Sequence, residues 1–173
     1  MKKLTFFSAL LTLLSLLVAA AEPAVVAVTA ADIRADAGIL DGKQWISTGQ
    51  PDKEILTLAR DAGFVAVVDL RGQGEDRGLD EPVEVKALGM EYVSLPVAGP
   101  GDVTFENAAR LDSLLGQFDG PVLLHCASGN RVGALVALRA SAAGASDDEA
   151  VALGKAAGLT RLESVVLERM QQD

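Results

Sequence analysis

A thiol and a guanidinium stand five positions apart at Cys126 and Arg131, separated by Ala127, Ser128, Gly129 and Asn130. A thiolate is a strong nucleophile, and a guanidinium is a planar fork able to hold two oxygens of a tetrahedral anion at once. The apolar residues Val122, Leu123 and Leu124 lead into His125 and Cys126, and a small-residue helix is predicted from Val132 to Ala143. A strand that delivers Cys126 to a helix start must curl in between, and Gly129 permits the tight backbone this needs. The amides of Ala127 to Arg131 then point at a common centre, helped by the positive end of the helix dipole. The same surroundings favour thiolate over thiol. One short loop thus supplies both a nucleophile and an oxyanion cradle, and its chemistry is attack by sulfur on an anionic electrophile.

Hydrolysis also needs a proton donor for the leaving group. Asp102 is the candidate, although an Asp directly before a helix is also an ordinary N-cap. Arg71, just past an apolar strand, would add positive charge to the pocket or form a surface salt bridge. His125 should face away from Cys126, because neighbours on a strand alternate faces, which suits bracing the loop better than acting as a base. Ser128 would bond to the loop or the thiolate. The chain has one Cys and one His, so a four-ligand zinc site of the usual kind cannot be assembled, and neither metal nor cofactor is expected.

Positioning this loop requires alternating strands and helices. Strands are predicted at Gln44–Thr48, Phe64–Leu70, Glu91–Val97 and Val122–His125. Helices are predicted at Asp52–Ala62, Glu81–Leu88, Val103–Phe118, Val132–Ala143, Asp147–Ala157 and Thr160–Gln171. Arg71–Asp80 and Ala98–Asp102 read as loops. Such alternation implies an α/β domain of three layers, with a small, mostly parallel central sheet flanked by helices. The loops after Thr48 and Val97 then meet the Cys126 loop at one sheet edge, where ligands of open α/β sheets bind.

Residues 1–21 have the layout of a signal peptide: Lys2 and Lys3, an apolar stretch from Leu4 to Val18, and Ala19, Ala20 and Ala21 at a cut site. The stretch is shorter than the roughly 20 residues of a membrane span. The expected fate is a periplasmic or secreted protein with no stable membrane association after cleavage. Residues 22–43 form an Ala-rich lead-in and 44–173 the domain. The whole chain carries 15 basic against 24 acidic residues, and losing Lys2 and Lys3 makes the balance more acidic. Such a surface repels nucleic acid, so the expected partner is a small anionic substrate or a phosphorylated protein held by local positive charge.

The segment from His125 to Arg131 resembles the active loop of cysteine-dependent phosphatases of the tyrosine and dual-specificity type. More closely, the chain from Trp45 to about Ala140 is similar to the bacterial protein-phosphatase-like family named after beta-lactamase-hydrolase-like proteins. The matching pieces are Ser47–Pro51, Val67–Arg71, Gly89–Val97 and Pro121–Ala134. The resemblance implies a phosphatase-like fold, with Cys126 as nucleophile, Arg131 as anion clamp and Asp102 as acid. There are two departures. Tyrosine-type phosphatases have five residues between Cys and Arg where this chain has four, and they usually carry Ser or Thr where Val132 stands. The shorter loop looks like that of single-domain rhodanese sulfurtransferases, but Gly89–Val97 follows the phosphatase-like pattern.

Three functions follow as expectations. The first is phosphomonoester hydrolysis through a phosphocysteine. The second is sulfur transfer through a Cys126 persulfide. The third is a non-catalytic anion-binding or redox-sensing module, built on an exposed thiol.

Overall fold

The computed structural model describes residues 38–40 and 43–172, with side chains from Trp45 onward; the expected leader lies outside them. Among the described residues no helix is long and apolar enough to cross a membrane. Five strands of the described residues form one sheet: β1 (Gly38–Leu40), β2 (Lys43–Thr48), β3 (Ala66–Asp69), β4 (Glu91–Ser94) and β5 (Val122–His125). Their spatial order is β1-β2-β5-β3-β4. The last four are mutually parallel, and β1 adds an antiparallel edge strand from the stretch left unassigned in the sequence.

The described residues form six α-helices, three in crossovers between strands, α1 (Lys53–Asp61), α2 (Glu81–Ala87) and α3 (Phe105–Leu115), and three after β5, α4 (Asn130–Ala142), α5 (Asp147–Ala156) and α6 (Glu163–Gln172). A 3-10 turn at Pro100–Asp102 precedes α3. Each strand divides its residues between two cores because side chains alternate across a sheet. Ile46, Val67 and Leu123 pack with Leu56, Ala59 and Val85 of α1 and α2. Ala66, Val68, Val122 and Leu124 pack on the other face with Leu111, Leu135 and Val166 from α3, α4 and α6. The sheet is therefore covered on both faces, which is why β3 and β5 are buried along their whole length.

Helix ends follow local chemistry. Asp52 accepts the Ile55 amide at 2.8 Å to start α1, and Ser146 with Glu149 forms a reciprocal capping box on α5. Thr104, not Asp102, caps α3 by accepting from the Asn107 amide. This leaves the Asp102 carboxylate off the helix.

Helices α4 and α5 approach almost backbone to backbone. A Cβ on Gly133 would lie 2.2 Å from Leu159 N and 2.5 Å from Gly154 O, and neither atom can swing away as a side chain would. Gly133→Ala should therefore cost about 1–3 kcal/mol by overpacking, read as a lower midpoint in thermal or urea melts. An unchanged midpoint would mean that α4 and α5 do not meet as described.

Candidate active site

The register of the sheet sets the site. Asp69 on β3 and Thr48 on β2 both stand opposite His125, so three parallel strands end level, and Cys126 follows directly. His125 points to the α1–α2 face with Leu123, while Cys126 joins the opposite core at 1 % exposure. The thiol is thus buried at the base of the loop, which corrects the exposed thiol on which the redox-sensing expectation rested.

From Cys126 the backbone turns outward. Ala127 and Ser128 are exposed, and Gly129 adopts φ +79°, a left-handed conformation that suits glycine. α4 begins at Asn130, two residues earlier than its periodicity predicts, so the amides of its first turn belong to the loop. Gly49 supports the loop from the β2 side: it bridges to Ser128, and the Gln50 amide donates to Ala127 O at 3.4 Å. A Cβ on Gly49 would sit 3.2 Å from that same carbonyl.

Arg131 is held at one end and open at the other. Nη1 donates to Glu75 Oε1 at 2.6 Å and to Val97 O at 2.8 Å, and Nη2 donates to Glu75 Oε2 at 2.7 Å. A guanidinium has five N–H donors in a plane, so Nε and the second Nη2 hydrogen remain on the adjacent edge. The hydrogen bonds that Arg131 donates to Glu75 hold its guanidinium above its already high ordinary range, with the nearby Cys126 sulfur adding to the effect. The thiol and the guanidinium thus lie within interaction range of each other.

Glu75 comes from the Arg71–Asp80 loop. Its Oε1 also accepts the Gly72 amide at 2.7 Å, and its Oε2 accepts Arg71 Nε at 3.1 Å. The hydrogen bond from Arg131, chiefly, pulls the Glu75 carboxyl from its usual value down to about 2, against the opposing effect of burial. Arg71 is buried rather than a surface residue, and it also donates to Gln50 Oε1 and, at 2.8 Å, to Asp76 O. Its reach toward a substrate is indirect, through Glu75.

Behind the loop lies a second polar cluster. Asp69, Glu81 and His125 are fully buried, with ligand-type atoms within 4.8 Å of one another. His125 Nε2 is 2.8 Å from Glu81 Oε1 and 3.6 Å from Asp69 Oδ1, though neither contact is directed as a hydrogen bond. Arg77 Nε donates to Asp69 Oδ2 at 2.6 Å and lies 3.9 Å from Glu81 Oε2. Burial opposes the Arg77 charge, but the Asp69 carboxylate outweighs it and leaves Arg77 more firmly protonated than usual. Tyr92 Oη also donates to Asp69 Oδ2 at 2.7 Å, and burial first, then Asp69, push its phenol well above the ordinary range. These three ligand types could hold a metal ion, but Arg77 already supplies positive charge to the acidic pair. Asp69 Oδ1 accepts the Arg71 amide at 2.7 Å, so the cluster fixes the start of the loop that carries Glu75.

The remaining candidates separate. Asp102 Oδ2 accepts the Ala98 amide at 2.8 Å, in the loop that starts at the Val97 carbonyl touching Arg131. Asn130 contributes its backbone to the loop, but its side-chain oxygen faces the α5–α6 connection, where Thr160 N donates to it at 2.8 Å. Sequence reasoning missed Glu75, Asp69, Arg77 and Glu81. Asp69 had a readable signal, a carboxylate inside the apolar run Phe64–Leu70. Glu75 had only a weak one, its place between Arg71 and Arg77 in a Gly-rich loop.

A parallel α/β sheet with a Cys-to-Arg loop between a buried strand and a helix places this domain in the cysteine-phosphatase-like class. The chain belongs to the family of the phosphatase-like domain of beta-lactamase hydrolase-like proteins, whose model matches residues 43–145. A beta-lactamase hydrolase-like protein of Agrobacterium fabrum is 30% identical over 87 residues, 48% of this chain. The match spans only 20% of that relative's length. Among solved structures, a candidate phosphatase from Neisseria meningitidis superposes with a TM-score of 0.65 at 23% identity, covering 80% of this chain and 97% of that one. A candidate phosphatase from Shewanella putrefaciens gives 0.55 at 22% identity, over 74% and 87%. TpbA of P. aeruginosa, solved with phosphotyrosine, gives 0.54 at 16% identity, over 78% and 88%. At these identities the likeness establishes the fold.

Glu75→Gln should loosen Arg131. Glu75 is depressed in the folded state, so its contribution is present above its ordinary value near 4.5 and is lost as pH falls toward about 2. Its side chain is 31% exposed, which screens the pair. The variant should lose about 1–2 kcal/mol at pH 7, and the gap to wild type should close below pH 4 in urea melts across pH. A gap independent of pH would show that the ion pair is not its source.

Proposed function

We propose that the domain hydrolyses phosphomonoesters through Cys126. The observation that carries this reading is that Arg131, anchored by Glu75 and Val97 through Nη1 and one Nη2 hydrogen, interacts with the Cys126 sulfur and keeps Nε and its second Nη2 hydrogen clear of both anchors. Two oxygens of a phosphoryl group fit that Nε–Nη2 edge side-on, and the loop amides take the rest of the developing charge. Cys126 sulfur attacks phosphorus as the ester oxygen leaves with a proton from Asp102. Water then attacks the phosphocysteine, the P–S bond breaks, and Asp102 recovers a proton while inorganic phosphate departs. Support for Asp102 is its freedom from capping α3 and its place on the loop joined to Arg131 through Val97. A phosphorylated small molecule or protein is the substrate class, and TpbA, a fold relative, is solved with phosphotyrosine.

A second reading, sulfur transfer, is favoured by one feature: Val132 is fully buried and offers no hydroxyl to help a thiolate leave. Cys126 would then carry a persulfide, and no acid would be needed.

p-Nitrophenyl phosphate turnover under reducing conditions separates the readings. Cys126→Ser should abolish it, and Asp102→Asn should lower kcat by about 10²-fold or more. Thiosulfate sulfurtransfer that depends on Cys126 but not on Asp102, with no phosphate ester turnover, would replace the first reading with the second.

A further inference from the structure

The residues beyond the family match are not a passive appendage. Helices α5 and α6 lie past residue 145, where the matched segment ends, yet the connection between them rests on the anion loop. Asn130 Oδ1, 8 % exposed as a residue, accepts from Thr160 N at 2.8 Å, Thr160 Oγ1 at 3.1 Å and Leu162 N at 3.3 Å. Next to it, Gly129 and Gly158 meet through their backbones. A Cβ on Gly158 would lie 3.1 Å from Gly129 Cα and C, and Gly158 has φ +99°. Ser47 Oγ closes the arrangement by donating to Ala157 O at 2.6 Å, tying the connection to the end of β2 as well.

We infer that Asn130 is a positioning residue of the active site, and that residues 157–162 set the curvature of the anion loop through it. The loop has few other restraints on this side. Ala127 and Ser128 are exposed, and Gly129 has no side chain to hold it. A left-handed glycine next to a helix start can move by rotating two dihedrals. Asn130 removes that freedom. Its one oxygen gathers three donors from the α5–α6 connection, while its own backbone is the first turn of α4 and its neighbour is Arg131. The amide cradle and the guanidinium edge are therefore held in one geometry from behind, without a side chain entering the pocket. A misplacement of about an ångström at a reacting centre can cost about 10²-fold in rate, so this contact belongs to the chemistry as well as to packing.

The inference rests on the phosphatase reading for its kinetic test and carries a second readout that does not. Asn130→Ala removes the acceptor, whereas Asn130→Asp keeps it. With p-nitrophenyl phosphate, well below every melting temperature, Asn130→Ala should lower kcat about tenfold or more with a smaller change in KM, and Asn130→Asp should recover most of kcat. A lower melting temperature with unchanged kcat in Asn130→Ala would reduce the contact to packing and overturn the inference. Wild-type protein without any turnover would sink the phosphatase reading instead. The decision then falls to hydrogen–deuterium exchange: Asn130→Ala should speed exchange at residues 127–131 and 158–162 while α1 and β4 stay at wild-type rates. Exchange that is unchanged, or faster everywhere, would overturn it.

Discussion

The site depends on keeping one guanidinium charged, still and half open inside an acidic protein. The chain carries nine more negative than positive charges at neutral pH, so an incoming anion meets repulsion everywhere except at a local concentration of positive charge. Arg131 provides it only if its long side chain is immobilised, because an exposed arginine would lose rotamer entropy on binding. Glu75 and the Val97 carbonyl supply that restraint from a single end of the fork. The carboxylate does not cancel the site, because it uses hydrogens that a bound anion on the adjacent edge does not need. Arg71 in turn shares the charge of Glu75, so the carboxylate is balanced by two cations.

A second consequence is that the three loops of the site are not independent. The Arg71–Asp80 loop, the Val97–Asp102 loop and the Cys126 loop all contribute atoms to the surroundings of Arg131. The group formed by buried Asp69, Glu81 and His125 with half-buried Arg77 anchors the first of these to the strand ends. Buried charges are costly unless paired, and here each has an opposite or polar neighbour within reach. The anchoring is polar because it must sit where the sheet's apolar pattern ends and the loops begin.

Much of this architecture was legible in the residues. The apolar runs of β3 and β5 and the alternation of strands with helices depend on local patterns, and local patterns survive into the fold. Helix α4 starting at Asn130 rather than Val132 was not legible, since its first turn is set by the left-handed Gly129 and by contacts with residues 157–162. The antiparallel β1 was missed because three residues are too few for periodicity to register. At the site, Cys126 and Arg131 could be picked out because their chemistry is carried in a contiguous loop. Glu75 could not, since its partner Arg131 is 56 positions away and no spacing rule links them. Asn130 illustrates the reverse: its place in the loop suggests contact with an anion, and only the packing of the C-terminal helices turns its side chain the other way.

The strand order also dictates when the molecule can close. β5 lies between β2 and β3, so neither sheet half is complete until the chain has been made as far as His125. Near neighbours in sequence are joined only at the two ends of the sheet, by β1 with β2, Gly38 with Trp45 through Leu40 with Lys43, and by β3 with β4, Ala66 with Glu91 through Asp69 with Ser94. The pairing of Trp45 with Val122 spans nearly half the chain. Contacts of that separation must overcome loop-closure entropy before they return any stability, and domains built on them fold slowly. A growing chain therefore leaves one edge of β2 and one edge of β3 unpaired until β5 is made, and the segment that carries the nucleophile is the one whose arrival ends that exposure.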